Sequence, residues 1–123
     1  MVAIFLGRLR DEAACRIFGD GSQSRDYVYV EDVTRATVAA LDGDSGGVFN
    51  VGTGVATSVL ELYDICRSTV GTDAAAVHEA ARPGELGRSV LDGELAAATL
   101  GFRPDTALAS GIAMTWEWIR SDP

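Results

Sequence analysis

Ile17-Phe18-Gly19-Asp20-Gly21-Ser22-Gln23-Ser24-Arg25-Asp26-Tyr27-Val28-Tyr29-Val30-Glu31-Asp32-Val33 changes its pattern twice within seventeen positions. Arg16 to Phe18 is a short strand candidate, and Gly19 to Ser22 is a dense turn signal. Tyr27 to Val30 is aromatic and β-branched throughout, the composition of a strand covered on both faces. From Glu31 the period is helical. Val33, Ala36, Thr37, Ala40 and Leu41 form a stripe that Gly43 and Gly46-Gly47 end. Asp26, Glu31 and Asp32 bracket the strand and open the helix, where carboxylates suit free N–H groups and the dipole, so Asp32 is expected to act as a cap. Arg25 is thereby set between a glycine-rich turn and a buried strand.

Upstream, Val2, Phe5, Leu6 and Leu9 share one helical face, with no capping residue before them. Downstream, Val48 to Val51 reads as another strand and runs into Gly52-Thr53-Gly54. A helix is expected from Ser58, with Glu61 in capping-box register and Val59, Tyr63, Cys66 and Val70 inward; Gly71 is its stop. Ala75 to Glu79 is a strand candidate, followed by the turn Arg82-Pro83-Gly84-Glu85. Leu91, Leu95 and Ala98 mark a short helix that ends at Gly101. A last helix is expected over about Thr106 to Arg120, with Leu108, Ile112, Thr115, Trp116 and Ile119 inward and Trp118 on another face. The alternation gives a mixed α/β class in one domain over residues 1–123, with no internal repeat. The strands are too few and short for a closed doubly wound sheet and are expected to belong to a larger one.

The chain has 123 residues, 47% of them apolar, and a formal charge of −8. All ten basic residues are arginine. An acidic chain without a basic cluster is repelled by phosphate backbones and anionic membranes, which argues against nucleic-acid or membrane partners. Any bound anion must be held by a few placed arginines. Cys15 and Cys66 lack metal or redox spacing and read as buried thiols, consistent with a reduced, cytoplasmic setting. The apolar opening is too short for a membrane helix and lacks a signal peptide's layout.

Two arginines lie at turns where a planar, permanently charged donor can meet phosphate: Arg25, and Arg82 in its Pro-Gly turn. Glu85 can accept from a ribose diol. Composition alone favours reading each as ordinary surface charge. His78, the single histidine, has no partner at metal spacing. Tyr63 precedes Arg67 by four on a helix that buries it, which reads as packing, and arginine substitutes poorly for a catalytic lysine.

The turn-to-helix segment Gly19 to Val33, then Phe49-Asn50-Val51-Gly52-Thr53-Gly54, then Arg82-Pro83-Gly84-Glu85, Leu91-Asp92 and Leu100-Gly101-Phe102-Arg103-Pro104, resembles an ordered C-terminal signature. It is that of the NAD-dependent epimerase/dehydratase family of extended short-chain dehydrogenases/reductases, among which the UDP-hexose 4-epimerases are the nearest group. The resemblance runs from about Val2 to Trp118. It implies the substrate-binding portion of an extended Rossmann-type enzyme, with Arg25 and Arg82 on the nucleotide diphosphate and Glu85 on the ribose. Ile17 and Phe18, with the opening helix near Phe5, would flank the base. Tyr29 stands where relatives carry a residue near the cofactor side, and Asn50 and Gly52 would be structural.

The family's chemistry requires a glycine-rich turn that presents helix N–H groups to a dinucleotide, and a tyrosine base paired with a lysine. This sequence shows neither motif. NAD is therefore expected in a complete enzyme but not on this chain alone, and the N-terminal dinucleotide-binding βαβ units are expected to be absent. A dehydratase or reductase of nucleotide sugars, and a non-catalytic domain that binds nucleotides or pairs with a separate Rossmann subunit, are the alternatives. Apolar surface left bare by an absent sheet would favour association into homo-oligomers.

Overall fold

Three helices hold the core of the computed structural model, which describes residues 1–43 and 46–121: α1 (Val2–Arg10), α3 (Val59–Val70) and α5 (Leu108–Ser121). Between them lie β1 (Arg16–Phe18), β2 (Ser24–Arg25), α2 (Val30–Asp42) and β3 (Thr57–Ser58), and then β4 (Val77–Glu79), β5 (Arg88–Ser89) and α4 (Glu94–Leu100). The stripes expected of α1, α3 and α5 meet. Phe5, Leu6, Leu9, Ile17, Leu62, Tyr63, Cys66, Ile112 and Ile119 form one buried cluster, with Leu108 and Trp116 partly buried against it. Phe5 and Tyr63 pack edge to face with centroids 5.4 Å apart. The Tyr63 hydroxyl donates to the Ala74 carbonyl at 2.7 Å, which fixes this tyrosine as a packing residue.

The limits of α3 are written in its sequence. The Ser58 side chain accepts from the Glu61 N–H at 3.1 Å, and the Glu61 carboxylate accepts from the Ser58 N–H at 2.7 Å. At the other end Gly71 adopts φ +79°, a left-handed stop open to glycine. The strands are short. β1 and β4 pair in parallel, Arg16 with Val77 and Phe18 with Glu79. β2 is the centre of a three-stranded sheet, antiparallel to β3 and parallel to β5. Gly21 makes the turn between β1 and β2: its φ is +77°, and a Cβ there would lie 2.7 Å from Leu60 and 2.9 Å from Ile17.

Several expectations are corrected. Tyr27 to Val30 is not a strand: ladder bonding stops at the Asp26 N–H, which donates to the Ser89 carbonyl, and Val30 already begins α2. The aromatic side chains pack sideways, Tyr27 on the core and Tyr29 against Gly111. Val48 to Val51 pairs with no strand among the described residues; the Asn50 side chain instead donates to the Asp92 carbonyl. The stripe of α2 is not a core face, because Val33, Thr37, Ala40 and Leu41 are exposed and only Asp32 and Ala36 are buried. In α4 Ala96 is buried, while Leu95 and Ala98 are exposed; Leu91, also exposed, lies before the helix rather than in it.

Asp32 is also not a cap. It lies inside the first turn of α2 with no exposed surface, bonded to Arg35 and accepting from the Thr106 N–H at 3.2 Å. Burial pushes its carboxyl upward, and the bonds from Arg35 and Thr106 outweigh this to leave its pKa below the usual carboxylate range. Arg35 reaches on to Asp105 at 2.5 Å and lies over the Phe102 ring. One carboxylate thus ties α2 to the approach of α5.

Candidate functional site

The parallel pairing of β1 with β4 places the loop after β4 beside Phe18, and α1 lies along the other side. Between them is a cleft of about 350 Å³. From α1 and its N-cap come Met1, Ile4, Phe5 and Arg8, whose three- and four-residue spacing sets them on one face. The β1 wall contributes Arg16, Ile17 and Phe18; Gln23, Val59, Arg82 and Glu85 complete it. Phe5, Ile17, Phe18, Arg82 and Glu85, singled out from sequence, therefore converge on a single cavity.

Arg25 does not line this cleft but adjoins it. Its Nη2 lies 3.7 Å from Glu85 Oε1, both side chains about a quarter exposed (28% and 27%), and its Nη1 donates to the Ser24 carbonyl at 2.8 Å. Arg82 Cζ lies 3.7 Å from the centroid of the Phe18 ring, a cation–ring contact. Gly84, at φ +76°, turns the loop so that the Glu85 N–H reaches the Arg82 carbonyl at 3.3 Å. Arg8, Arg16 and Arg82 face the cleft against the lone carboxylate of Glu85, a positive site in an acidic chain. Apolar and aromatic walls with several guanidinium groups suit a ligand with a flat ring at one end and phosphate at the other.

Tyr29 is elsewhere. It borders an apolar hollow of about 260 Å³ on the other side of α1, with Val2, Tyr27, Leu108, Gly111 and Ile112.

Sequence reasoning missed Asp26. Its carboxylate accepts from the Thr53 N–H at 2.9 Å, the Thr53 hydroxyl at 2.5 Å, the Gly54 N–H at 2.9 Å and the Leu91 N–H at 3.3 Å. Burial alone pushes this carboxyl upward; the bonds from Thr53, Gly54 and Leu91 hold it below its ordinary value. A Cβ on Gly52 would lie 2.6 Å from Asp26 Oδ2, so that position admits only glycine at this spacing. The Thr53 and Gly54 N–H groups of this turn are therefore committed to Asp26, and these residues do not fit a dinucleotide pyrophosphate. Arg8 was missed too, although its position four after Ile4 was a readable signal.

Cys15 and Cys66 are free and buried. Burial pushes the Cys66 thiol up to about 12, and Cys15 is raised for the same reason. His78 Nδ1 lies 2.7 Å from the Gly19 carbonyl. Among the described residues no group of side chains could hold a metal ion, and no helix is long and apolar enough to cross a membrane.

The sequence pattern of the NAD dependent epimerase/dehydratase family matches residues 1–52. A UDP-glucose 4-epimerase of Mycolicibacterium smegmatis is 46% identical over 98% of this chain and 39% of its own length. This chain belongs to the NAD-dependent epimerase/dehydratase family. The UDP-glucose 4-epimerase of Thermotoga maritima, solved with UDP-glucose, superposes with a TM-score of 0.93 at 39% identity, over 98% of this chain and 39% of that one. The Thermus thermophilus UDP-glucose 4-epimerase, solved with NAD, gives 0.91 at 33% identity, over 99% and 40%. The chain thus spans about two fifths of the length of these family members. The mixed α/β fold expected from sequence is the one it shares with them.

Proposed function

We propose that this chain is the C-terminal, nucleotide-sugar-binding domain of an NAD-dependent 4-epimerase of UDP-hexoses. The observation that carries the reading is the convergence of Phe5, Ile17, Phe18, Arg82 and Glu85 on one cleft, with Arg25 ion-paired to Glu85 at its edge. Arg25 and Arg82 hold the diphosphate; Glu85, released from Arg25, accepts from the ribose hydroxyls. Phe18 and Ile17, with Phe5 of α1, flank the base. The similarity to UDP-glucose 4-epimerases over nearly all of the chain supports a uridine nucleotide.

NAD supplies hydride acceptance and return in such an enzyme. No step through it is assigned to these residues, because the Gly52-Thr53-Gly54 turn is closed by Asp26 and sequence shows no tyrosine–lysine pair. The cofactor and the general base would come from the remaining length of a longer protein or from a Rossmann-type partner. Tyr29, on the far side of α1, is the residue of this chain that would face the cofactor. The part played here is binding: fixing diphosphate and base so that the sugar is held in one orientation.

Calorimetric titration tests this reading. UDP is expected to bind, to weaken about tenfold in Arg25→Ala and in Arg82→Ala through loss of a charge-assisted contact, and to be preferred over dTDP. UDP heat indifferent to both substitutions would sink it. A preference for dTDP would move the assignment toward the family's dehydratases.

A further inference from the structure

The contact between Arg82 and Phe18 lies across the proposed site. Resting on the reading just given, we infer that Phe18 is a platform shared in turn by two occupants: the Arg82 guanidinium when the cleft holds no nucleotide, and a nucleobase when it does. The exchange makes Phe18 a specificity-determining residue that selects a base-bearing diphosphate over a bare one.

Three observations carry this. First, Arg82 Cζ stands 3.7 Å from the Phe18 centroid, so the guanidinium covers the ring face that a flat base would need. Second, the 350 Å³ cleft along α1 is continuous in its lining with a shallower hollow of about 440 Å³ beside Gly19 and Ala81. Phe18, Gln23, Arg82 and Glu85 line both. The stack therefore stands as a partition, and swinging Arg82 off the ring joins the two spaces into one groove. Third, the neighbouring groups leave Arg82 free to move. Arg82 is exposed, and among the described residues its guanidinium has no hydrogen bond or ion pair, only the Phe18 ring beneath it, whereas Arg25 is tied to Glu85 and Ser24, and Arg16 to Glu79. The backbone of Phe18, by contrast, is fixed by β4, and the Gln23 amide donates to its carbonyl at 3.0 Å. One partner is rigid and the other is a long side chain on a surface turn.

The consequence is a coupling between the two ends of one ligand. A base that takes the ring face displaces Arg82, and the displaced guanidinium is then available to phosphate. Pyrophosphate alone must pull Arg82 from the ring with nothing to replace it there, and binds with that handicap.

The test is calorimetry of the full 123-residue chain with pyrophosphate and with UDP. Phe18→Met keeps an apolar side chain of similar length and removes the ring; Phe18→Leu serves as a second variant should the first fail to fold. Either is expected to bind pyrophosphate about two- to fivefold more tightly than the parent chain, the size of a cation–ring contact at an exposed site, and to bind UDP more weakly. In an Arg82→Ala background the gain in pyrophosphate affinity should vanish. Pyrophosphate affinity that stays unchanged or falls in the Phe18 variants, while UDP binding still depends on Arg82, overturns the shared platform and leaves the nucleotide reading standing. UDP binding that ignores Arg25 and Arg82 alike removes both.

Discussion

The two sides of this molecule are built to different standards. On one, α1, α3 and α5 enclose Leu6, Leu62, Cys66 and Ile112 with almost no exposed surface. On the other, α2 and α4 meet over a small area, where Ala36, Ala96 and, beyond α4, Phe102 are buried, while Val30, Val33, Val38 and Leu41 stand open, Leu41 at 79%. The first side is stabilised by apolar burial. The second is tethered by charge, through Asp32, Arg35 and Asp105. The contrast shows that a helical apolar stripe predicts a helix but not what covers it.

The sharpest way to break the contrast is to cut into the packed side. Leu62→Ala is expected to cost about 4 kcal/mol of unfolding free energy in urea, from lost transfer energy and the cavity left behind. A loss below 1 kcal/mol would mean that the three-helix core is looser than described.

A smaller effect, about 2 kcal/mol, is expected for Asp32→Asn, which leaves Arg35 and the Thr106 N–H with a poorer acceptor. The sign of its pH dependence follows from the lowered pKa of Asp32. A carboxylate depressed in the folded state contributes stability above its unfolded value, about 4, and that contribution is lost as pH falls through the folded value. The gap between parent and variant should therefore be full at pH 7 and close in acid below about pH 4. A gap that persists at pH 2 would exclude the charge as its source.

The smallest effect is expected on the open side. Leu41→Lys should change stability by less than about 0.5 kcal/mol, yet reduce self-association in sedimentation velocity, because it interrupts an exposed apolar row. Unchanged sedimentation together with a large loss of stability would show that α2 is part of the core after all.

How far the sequence was readable follows the same division. The capping box at Ser58 and Glu61, the stop at Gly71 and the inward residues of α5 are local signals, and each forms as read. Arg25, Arg82 and Glu85 were legible as candidates because turns of glycine and proline advertise exposed charge; their proximity was not, since it depends on β1 pairing with β4 and β2 with β5. Tyr27 to Tyr29 has strand composition, but composition cannot say whether a neighbouring strand is present to receive it. Asp32 and Asp26 were misjudged for a shared reason. A carboxylate near a helix start or a strand end has a local use by default, and theirs is long-range, reaching Thr106 in one case and Thr53 and Leu91 in the other.

The pairing of Arg16–Phe18 with Val77–Glu79 has a kinetic corollary. The two walls of the cleft are some sixty positions apart along the chain, and closing a loop of that length has an entropy cost that must be met before the contact returns anything. The contact of Phe5 with Tyr63 between α1 and α3 closes a loop of much the same length, so the core and the cleft wall draw on equally distant partners. Every residue that lines the cleft lies at or before Glu85, whereas the core also needs Ile112 and Ile119 of α5, so a chain emerging from the ribosome has released its pocket residues before its hydrophobic centre can be completed.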